Sequence, residues 1–356
     1  MAIIDKPSDF FNTVIWTGNN ANGGTQTISG VGFQPDFTWI KSRTQTYDHA
    51  LFDATRGATK MIESNTNVAE ATEAQTLKSF VSNGFSIGTS NLVNQNVQNH
   101  VAWNWKAGTS FTNDASATGI GSIDSAGSAN QDAGFSICTY TNTNTNTIKH
   151  GLDVVPDVLI AKTRGVSGSW FLGSEKMLGS WNKKLNLNTT GAVATETRPF
   201  YPGSVAPTST VFSSDQSVFG AGGSATETMV AYCFAEKQGY SKFRSYVGNG
   251  NADGVFVYLG FKPAFIIIKK SSNAGNDWYM WDNKRNTSNL TNKYLNPDLN
   301  SEEGTANYGY IDFLSNGFKT RSASNDEINQ SGHTFIYMAF AENPFVASNF
   351  NPATAR

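Results

Sequence analysis

Gly32-Phe33-Gln34-Pro35-Asp36-Phe37-Thr38-Trp39-Ile40-Lys41 returns twice along the chain. It comes back as Gly151-Leu152-Asp153-Val154-Val155-Pro156-Asp157-Val158-Leu159-Ile160-Ala161-Lys162, then as Gly260-Phe261-Lys262-Pro263-Ala264-Phe265-Ile266-Ile267-Ile268-Lys269. In each, Gly and Pro mark a turn, and a run of aromatic and β-branched residues ending at Lys marks a strand. Two further signals follow in the same order. A Phe opens a late strand: Phe85 after Ser82-Asn83-Gly84, Phe212, and Phe318 after Ser315-Asn316-Gly317. A closing strand comes last: Val101-Ala102-Trp103-Asn104-Trp105, Val230-Ala231-Tyr232-Cys233-Phe234 and Tyr337-Met338-Ala339-Phe340. Pro35 to Trp105 spans 70 residues, Pro156 to Phe234 78 and Pro263 to Phe340 77, and the late Phe precedes the closing aromatic by 20, 22 and 22. These concordant spacings define a threefold repeat of roughly 100–110 residues, too long for a solenoid and long enough for a β-sandwich each.

Working outward, each copy opens on alternating apolar residues that run into an Asn/Gly/Thr cluster, the signature of a hairpin. Phe11 to Trp16 leads into Gly18 to Gly24, Phe135 to Tyr140 into Thr141 to Thr147, and Phe243 to Tyr246 into Gly248 to Gly254. No segment sustains helical periodicity apart from a short turn around Ala69 to Leu77. The composition agrees: only 15% of residues are charged, against ~25% in an average soluble domain, and 33 Gly accompany 24 Phe, 12 Tyr and 8 Trp. The expected fold is all-β, with three tandem β-sandwich modules of jelly-roll or lectin-like type. The expected organisation is an N-terminal arm (1–10), module 1 (11–107), a Gly/Ser/Ala-rich linker or surface excursion (108–132), module 2 (133–236), module 3 (237–345) and a C-terminal tail (346–356). Only Glu236-Lys237-Gln238-Gly239 separates modules 2 and 3, which leaves a shared sheet open.

Charge and chain ends exclude several partners. A net charge of −2 and a pI near 6.1 leave no general basic field for a phosphate backbone, so no nucleic-acid partner is expected. Met1 to Ile4 runs directly into Asp5-Lys6-Pro7, too short and too charged for a signal peptide, and runs such as Phe265 to Ile268 fall far below the ~20 apolar residues of a membrane helix. The expectation is a protein made in a cytoplasm, with no membrane partner. Its two cysteines, Cys138 in an opening strand and Cys233 in a closing one, would be neighbours if first and last strands pair. In a reducing compartment they read as two semi-buried free thiols.

Sites with chemistry are scarce. The four histidines His49, His100, His150 and His333 lack metal-ligand spacing, and His150 reads as a hydrogen-bonding residue at a turn or strand end. Gly220-Ala221-Gly222-Gly223 lacks the Lys-Ser/Thr of a phosphate loop. Asn249, Asn251 and Asp253 before Gly254 resemble half an EF-hand, but Gly260 stands where the bidentate Glu belongs, so a hairpin turn is expected. Glu302-Glu303 reads as solvated loop, and neither Asp53 with Glu63 nor Asp326 with Glu327 can be paired into a glycosidase dyad by sequence. No catalytic, cofactor-binding or metal residue is therefore expected. Trp278, Trp281, Trp170 and Trp181 are the candidate glycan or receptor contacts, because Trp278-Tyr279-Met280-Trp281-Asp282 mixes rings with polar groups as a sugar-stacking surface does. The alternative is that Trp278 and Met280 alternate inward as core.

One ordered series of motifs resembles a known family. It comprises Gly134-Phe135-Ser136-Ile137, His150-Gly151-Leu152 with Pro156-Asp157, Val230-Ala231-Tyr232-Cys233-Phe234-Ala235-Glu236 and Gly239-Tyr240-Ser241-Lys242-Phe243. Gly248-Asn249-Gly250, Ile311-Asp312-Phe313-Leu314-Ser315-Asn316-Gly317-Phe318 and Ala339-Phe340-Ala341-Glu342-Asn343-Pro344-Phe345 complete it. Together they resemble tailed-bacteriophage structural proteins of the tail-fibre-like kind, closely over residues 100–345 and more loosely before. The resemblance implies a non-enzymatic virion component assembled in the host cytoplasm. Its partners would be other virion proteins and a host-surface glycan, and it would be a homo-oligomer, trimeric by analogy with phage fibres. A tail appendage contacting the host surface is the leading expectation, with a capsid decoration or head-fibre protein second and a glycan-cleaving depolymerase third.

Overall fold

The computed structural model describes residues 3–143, 145–195, 206–215, 226–305, 310–322 and 327–346; Gly220 to Gly223 and Asp326 lie outside them. The chain is all-β, and every pair of named strands is antiparallel. One strand order recurs three times. In repeat 1 the opening strand Phe11–Thr17 lies beside the closing strand Asn99–Trp105, which lies beside the apolar strand Phe37–Ser42 and then a following strand, Ala50–Asp53. Repeat 2 orders Phe135–Asn142, Glu227–Phe234, Val158–Thr163 and Phe171–Gly173 identically, and repeat 3 does so with Ser241–Val247, Thr334–Pro344, Phe261–Lys270 and Trp278–Asp282. Repeats 2 and 3 keep separate sheets.

Each repeat adds a small second sheet: Gln26–Ser29, Gly84–Ile87 and Leu77–Val81 in repeat 1, Thr145–Lys149 and Val211–Asp215 in repeat 2, and Phe256–Tyr258, Gly317–Thr320 and Ile311–Leu314 in repeat 3. The two sheets of a repeat enclose its own core in a β-sandwich-like arrangement. Trp16, Phe52 and Phe85 lie in the first core, Tyr140, Ile148 and Phe212 in the second, and Tyr246, Ile266 and Phe318 in the third. A fourth core takes side chains from all three large sheets, among them Phe11, Trp103 and Trp105, Tyr232 and Phe234, and Phe265 and Phe340. Strand alternation divides the residues between the two kinds of core. Ala102, Ala231 and Tyr337 face their own repeat, while the next residues, Trp103, Tyr232 and Met338, face the shared core. Burial on both faces is why these strands read as unbroken apolar runs.

Several expectations change. The opening strand and the strand after its Asn/Gly cluster belong to different sheets, so each cluster is a corner between layers and not a hairpin. The expected linker 108–132 contains strands Thr109–Asn113 and Ser125–Asn130, which extend the second large sheet beyond its opening strand. Its Ser, Ala and Gly suit that role, since a Cβ on Gly127 would sit 2.1 Å from the Ile137 carbonyl oxygen. The short turn expected around Ala69 to Leu77 forms at Ala74–Gln75, with Thr76 N–H donating to the Glu73 carbonyl at 3.1 Å, after Ala71–Thr72 has paired with Lys60–Met61. The described part of the N-terminal arm packs on the chain itself: Ile4 and Phe10 contact the shared core, and Ile4 N–H donates to the Gln238 carbonyl at 3.2 Å.

The Ser-Asn-Gly-Phe signal marks a tight approach between strands. Gly84 has φ 148°, and a Cβ there would lie 1.9 Å from the Ile28 carbonyl oxygen. Gly84→Ala is expected to cost about 1–3 kcal/mol through forced backbone displacement, read as a lowered urea midpoint with an unchanged slope.

Candidate functional site

The polar groups that the repeat places at equivalent positions meet at the three joints between repeats. Pairing across the apolar and following strands sets Lys269 opposite Trp278. The same register sets Trp170 opposite Lys162 in repeat 2 and His49 opposite Lys41 in repeat 1. Trp170 Nε1 donates to the Glu63 carbonyl of repeat 1 at 2.7 Å, and Trp278 Nε1 to the Asn186 carbonyl of repeat 2 at 3.1 Å. His49 closes the ring. Its Nδ1 accepts from Trp39 Nε1 at 2.8 Å, which leaves the proton on Nε2 to be donated to the Asn296 carbonyl of repeat 3 at 3.0 Å. A backbone ring runs parallel: Glu70 N–H donates to Arg164 O, Val193 N–H to Ser271 O and Glu303 N–H to Arg43 O, at 2.8–2.9 Å. Repeat 2 thus grips repeat 1, repeat 3 grips repeat 2 and repeat 1 grips repeat 3, a head-to-tail contact that closes after three steps.

Two of the joints carry buried ions. Asp53 and Arg56 form a fully buried pair at the end of the following strand of repeat 1, and Asp53 also accepts from Tyr232 Oη of repeat 2 at 2.7 Å. Asp282 and Arg285 repeat this in repeat 3, with Trp103 Nε1 of repeat 1 donating to Asp282 at 3.0 Å. Glu70 bridges Arg56 and Arg164 at 3.0 and 2.8 Å; Glu303 bridges Arg285 and Arg43 at 3.3 and 2.8 Å. The Arg285 guanidinium holds the Asp282 carboxyl below its usual range despite burial. At the joint of repeats 2 and 3 every one of these positions is uncharged. Ser174 and Met177 stand for the Asp and Arg, Met338 for the ring that meets them, and Val193 and Ser271 for the Glu and Arg. Ser174 keeps one function of the Asp, accepting the Met177 N–H at 3.2 Å.

The Lys that ends each apolar strand is fully buried, and all three donate to backbone carbonyls. Lys162 Nζ reaches Val68 O of repeat 1 at 2.8 Å, Lys269 Nζ reaches Asn276 O at 2.5 Å and Thr190 O of repeat 2 at 3.4 Å, and Lys41 Nζ reaches Ser42 O at 2.8 Å. Burial lowers each ammonium to about 8. It also depresses the histidines: His49 far below its usual value, His100 and His150 to about 4. His150 accepts Leu152 N–H on Nδ1 at 3.2 Å, at the turn before the apolar strand.

The candidate glycan-contact tryptophans are interior, and Trp278 and Met280 alternate inward as core. Trp170, Trp278 and Trp281 are at most 1% exposed and Trp181 is 6% exposed. Trp170 and Trp278 belong to the shared core, Trp281 and Trp181 to the cores of repeats 3 and 2. Their rings offer no face to a sugar, because each packs against apolar neighbours. Glu303, expected as solvated loop, is the bridging carboxylate described above, while Glu302 is exposed. Asn249, Asn251 and Asp253 form successive Asx turns at 2.9–3.0 Å, and Asp253 pairs with Lys319. Among the described residues no group of three His, Cys, Asp or Glu could hold a metal ion, and no described helix is long and apolar enough to cross a membrane. Cys138 and Cys233 are free, buried and on adjacent paired strands, and burial pushes the Cys233 thiol up.

Two clefts among the described residues lie between repeats. A cleft of about 620 Å³ at the joint of repeats 2 and 3 is lined by Val154, Val155, Lys237, Lys242, Tyr258 and Val346. Tyr258, 53% exposed, carries the Lys242 ammonium 5.2 Å from its ring. A second cleft of about 650 Å³, at the joint of repeats 1 and 2, is lined by Phe10, Lys106, Phe111, Asp132 and Lys149 among others.

A family described as a domain of unknown function, DUF7483, matches residues 6–344. The chain belongs to that family. The DUF7483 match begins just before the opening strand of repeat 1 and ends at Pro344, the last residue of the closing strand of repeat 3. The family's unit therefore includes all three repeats and the joints between them. A comparison with curated proteins gives no match. Sequence reasoning missed the joint residues, although one signal was available: Asp53-Ala54-Thr55-Arg56 and Asp282-Asn283-Lys284-Arg285 stand 18 and 19 residues after their repeat's Pro.

Proposed function

We propose that this chain is a non-enzymatic structural component of a tailed-phage virion, foremost a tail-fibre or tail-appendage protein contacting the host surface. The motif resemblance suggests the virion, and the observation that carries the structural role is the closed ring of joints. Asp53, Asp282, Glu70, Glu303, Lys162, His49, Trp170 and Trp278 are engaged in contacts between repeats, which favours one locked block. Such a block suits rigid display of its exposed loops and clefts. On this reading each repeat is a β-sandwich module of jelly-roll or lectin-like type, and the cleft at Tyr258 replaces the buried tryptophans as the place for a host glycan. Trimeric assembly by analogy with fibres belongs to the same proposal. Glycan cleavage is disfavoured because Asp53 and Glu303 are held in ion pairs, not poised across a sugar.

A capsid decoration or head-fibre role is the second reading, favoured by the threefold arrangement of the repeats, which matches a local threefold position of a shell. Gold-labelled antibody against the chain on intact virions separates the two. Label on the tail or its fibres is the expected result; label over the head makes decoration the working reading, and no label on particles overturns both.

A further inference from the structure

The three repeats act as controls for one another's surfaces. On the strand Phe256–Tyr258 of repeat 3, Val257 pairs with Phe318 and turns inward, while Phe256 and Tyr258 point out at 45% and 53% exposure. The same register in repeat 1 pairs Ile28 with Phe85 and sets Thr27 and Ser29 on the outer face. In repeat 2 it pairs Ile148 with Phe212 and sets Thr147 and Lys149 there. Two outward rings are therefore peculiar to repeat 3. Repeat 2 departs at a different place. One residue separates Phe33 from Pro35 and Phe261 from Pro263, but three separate Leu152 from Pro156. The extra pair, Val154 and Val155, is 37% and 48% exposed. Both departures meet at the cleft of about 620 Å³ between repeats 2 and 3. Val154, Val155, Tyr258 and Val346 line it, and they are four of the ten large apolar side chains exposed among the described residues. Scattered exposed apolar residues need no explanation, whereas a cluster of them around a cleft marks a binding surface.

We propose that this cleft binds an anionic saccharide bearing acetamido groups, an inference that rests on the host-glycan reading above and narrows it. The two carboxylates of the cleft are already engaged. Lys176 pairs with Asp157 at 2.6 Å and with Glu236 at 3.0 Å, and Glu236 N–H donates to Asp157 at 2.7 Å. Glu236 also accepts the Phe243 N–H at 2.6 Å and pairs with Arg244. Lys237 and Lys242 line the same cleft, and neither forms an ion pair among the described residues. The carboxylates whose fields reach them are Asp132 and Glu236, and burial lowers both ammoniums. An anion entering the cleft therefore meets positive charge that nothing else has neutralised. Lys242 Nζ donates to the Tyr258 carbonyl at 2.8 Å and stands 5.2 Å from the Tyr258 ring, so charge and ring are offered together. The C–H face of a pyranose packs on the ring, the methyl of an acetamido group packs against Val154 and Val155, and the anionic group reaches Lys237 and Lys242.

Ligand-observed NMR titrations of the full chain against three probes test this. An oligomer of N-acetylneuraminic acid carries both groups, an oligomer of N-acetylglucosamine lacks the charge, and oligogalacturonate lacks the acetamido group. The first should bind roughly tenfold more tightly than either of the others. Tyr258→Ala, a change at an exposed ring, should weaken all three by roughly tenfold with the melting midpoint unmoved. Lys237→Gln combined with Lys242→Gln should weaken only the two acidic probes, by a similar factor. Should that variant fail to fold, the wild type decides: affinity for the acidic probes that falls several-fold from about 50 to about 300 mM salt supports the charge assignment, and affinity that stays constant overturns it. Displacement of the first probe by N-acetylglucosamine 6-phosphate supports a phosphate as the natural anion, and no displacement supports a carboxylate. Equal binding of acidic and neutral probes, lost in Tyr258→Ala, overturns the anionic assignment while the glycan reading stands. No binding of any probe overturns both. An oligomer in sedimentation velocity that Tyr258→Ala dissolves, with no saccharide bound, assigns this face to a second copy of the chain instead.

Discussion

Asp53→Ala is expected to destabilise the chain by about 3–5 kcal/mol, the usual loss when one member of a buried ion pair is removed. The carboxylate accepts from Arg56 Nε, from Arg56 N–H at 2.7 Å and from Tyr232 Oη at 2.7 Å, with Asp53 and Arg56 fully buried. Without it the guanidinium keeps Glu70 and the Leu51 and Lys60 carbonyls but loses its nearest countercharge, and the Tyr232 hydroxyl keeps a 3.4 Å contact to Arg56. Little of that loss measures the net value of the pair, however. Much of it is the cost of a stranded buried charge. The joint of repeats 2 and 3 supplies the control, because it is closed by Ser174, Met177 and Met338 at the same positions. Combining Asp53→Ser, Arg56→Met and Tyr232→Met transplants that set into repeats 1 and 2. The combined variant should recover most of the stability lost by Asp53→Ala, to within about 1–2 kcal/mol of the wild type, since well-packed apolar replacements of buried ion pairs are often neutral. Urea denaturation of the three proteins checks both halves. A single change costing under about 1 kcal/mol, or a triple change costing as much as the single one, would sink the account of the joints.

Pairing specificity accounts for a buried Asp–Arg pair at two joints and its absence, among the described residues, at the third, where the half-buried Glu236–Arg244 pair is the ionic contact. A chain of three similar repeats can close its ring within itself or exchange repeats with a neighbouring chain. The gripping face of repeat 3, with Met338 and Ser271, fits the uncharged receiving face of repeat 2. Placed against a face carrying Asp53, Arg56 and Glu70 it would leave buried charges unanswered. Like-with-like chemistry at each joint thus penalises the wrong neighbour more than it strengthens the right one.

The repeat was legible because its signals are local. A Gly and a Pro before an apolar run, a Phe after Ser-Asn-Gly and a closing aromatic strand each declare themselves within ten residues, and their spacing does the rest. The layer assignment was not legible. Gly18 to Gly24 has a hairpin's composition, but whether the next strand turns back in its own sheet or crosses to another depends on which neighbours bury its apolar face. The tryptophans left two readings open for a related reason, and the inward one is the one the fold adopts, with Trp278 and Met280 both in the shared core. A ring with an N–H beside polar residues suits a sugar platform, and it equally suits a buried ring whose N–H finds a carbonyl in another repeat, 107 residues away for Trp170. The small residues of Ser125–Asn130 suggest the freedom of a linker in sequence, whereas in the fold they let one strand lie close against another.

Phe340→Ala should produce a loss of similar size by a different route, about 3–5 kcal/mol from a cavity that surrounding rings cannot fill. Phe340 is 2% exposed and contacts Phe11 and Trp105 of repeat 1, Phe234 of repeat 2, and Tyr240, Phe243 and Phe265 of its own repeat, at centroid distances of 5.4–6.3 Å. Those rings sit on three different sheets, so none can move into the vacancy without opening a joint. The shape of the melt discriminates more sharply than its midpoint. If the shared core couples the repeats, calorimetry should show one transition displaced downward by roughly 2 °C per kcal/mol, with calorimetric and van't Hoff enthalpies still in agreement. Repeats held mainly by their own cores would instead show repeat 3 melting early while the others kept their original midpoint. That second pattern would mean that Trp16, Tyr140 and Tyr246 in the separate cores matter more to each repeat than Phe340 does. The ring of joints would then be a consequence of three stable units touching, and not the source of their stability.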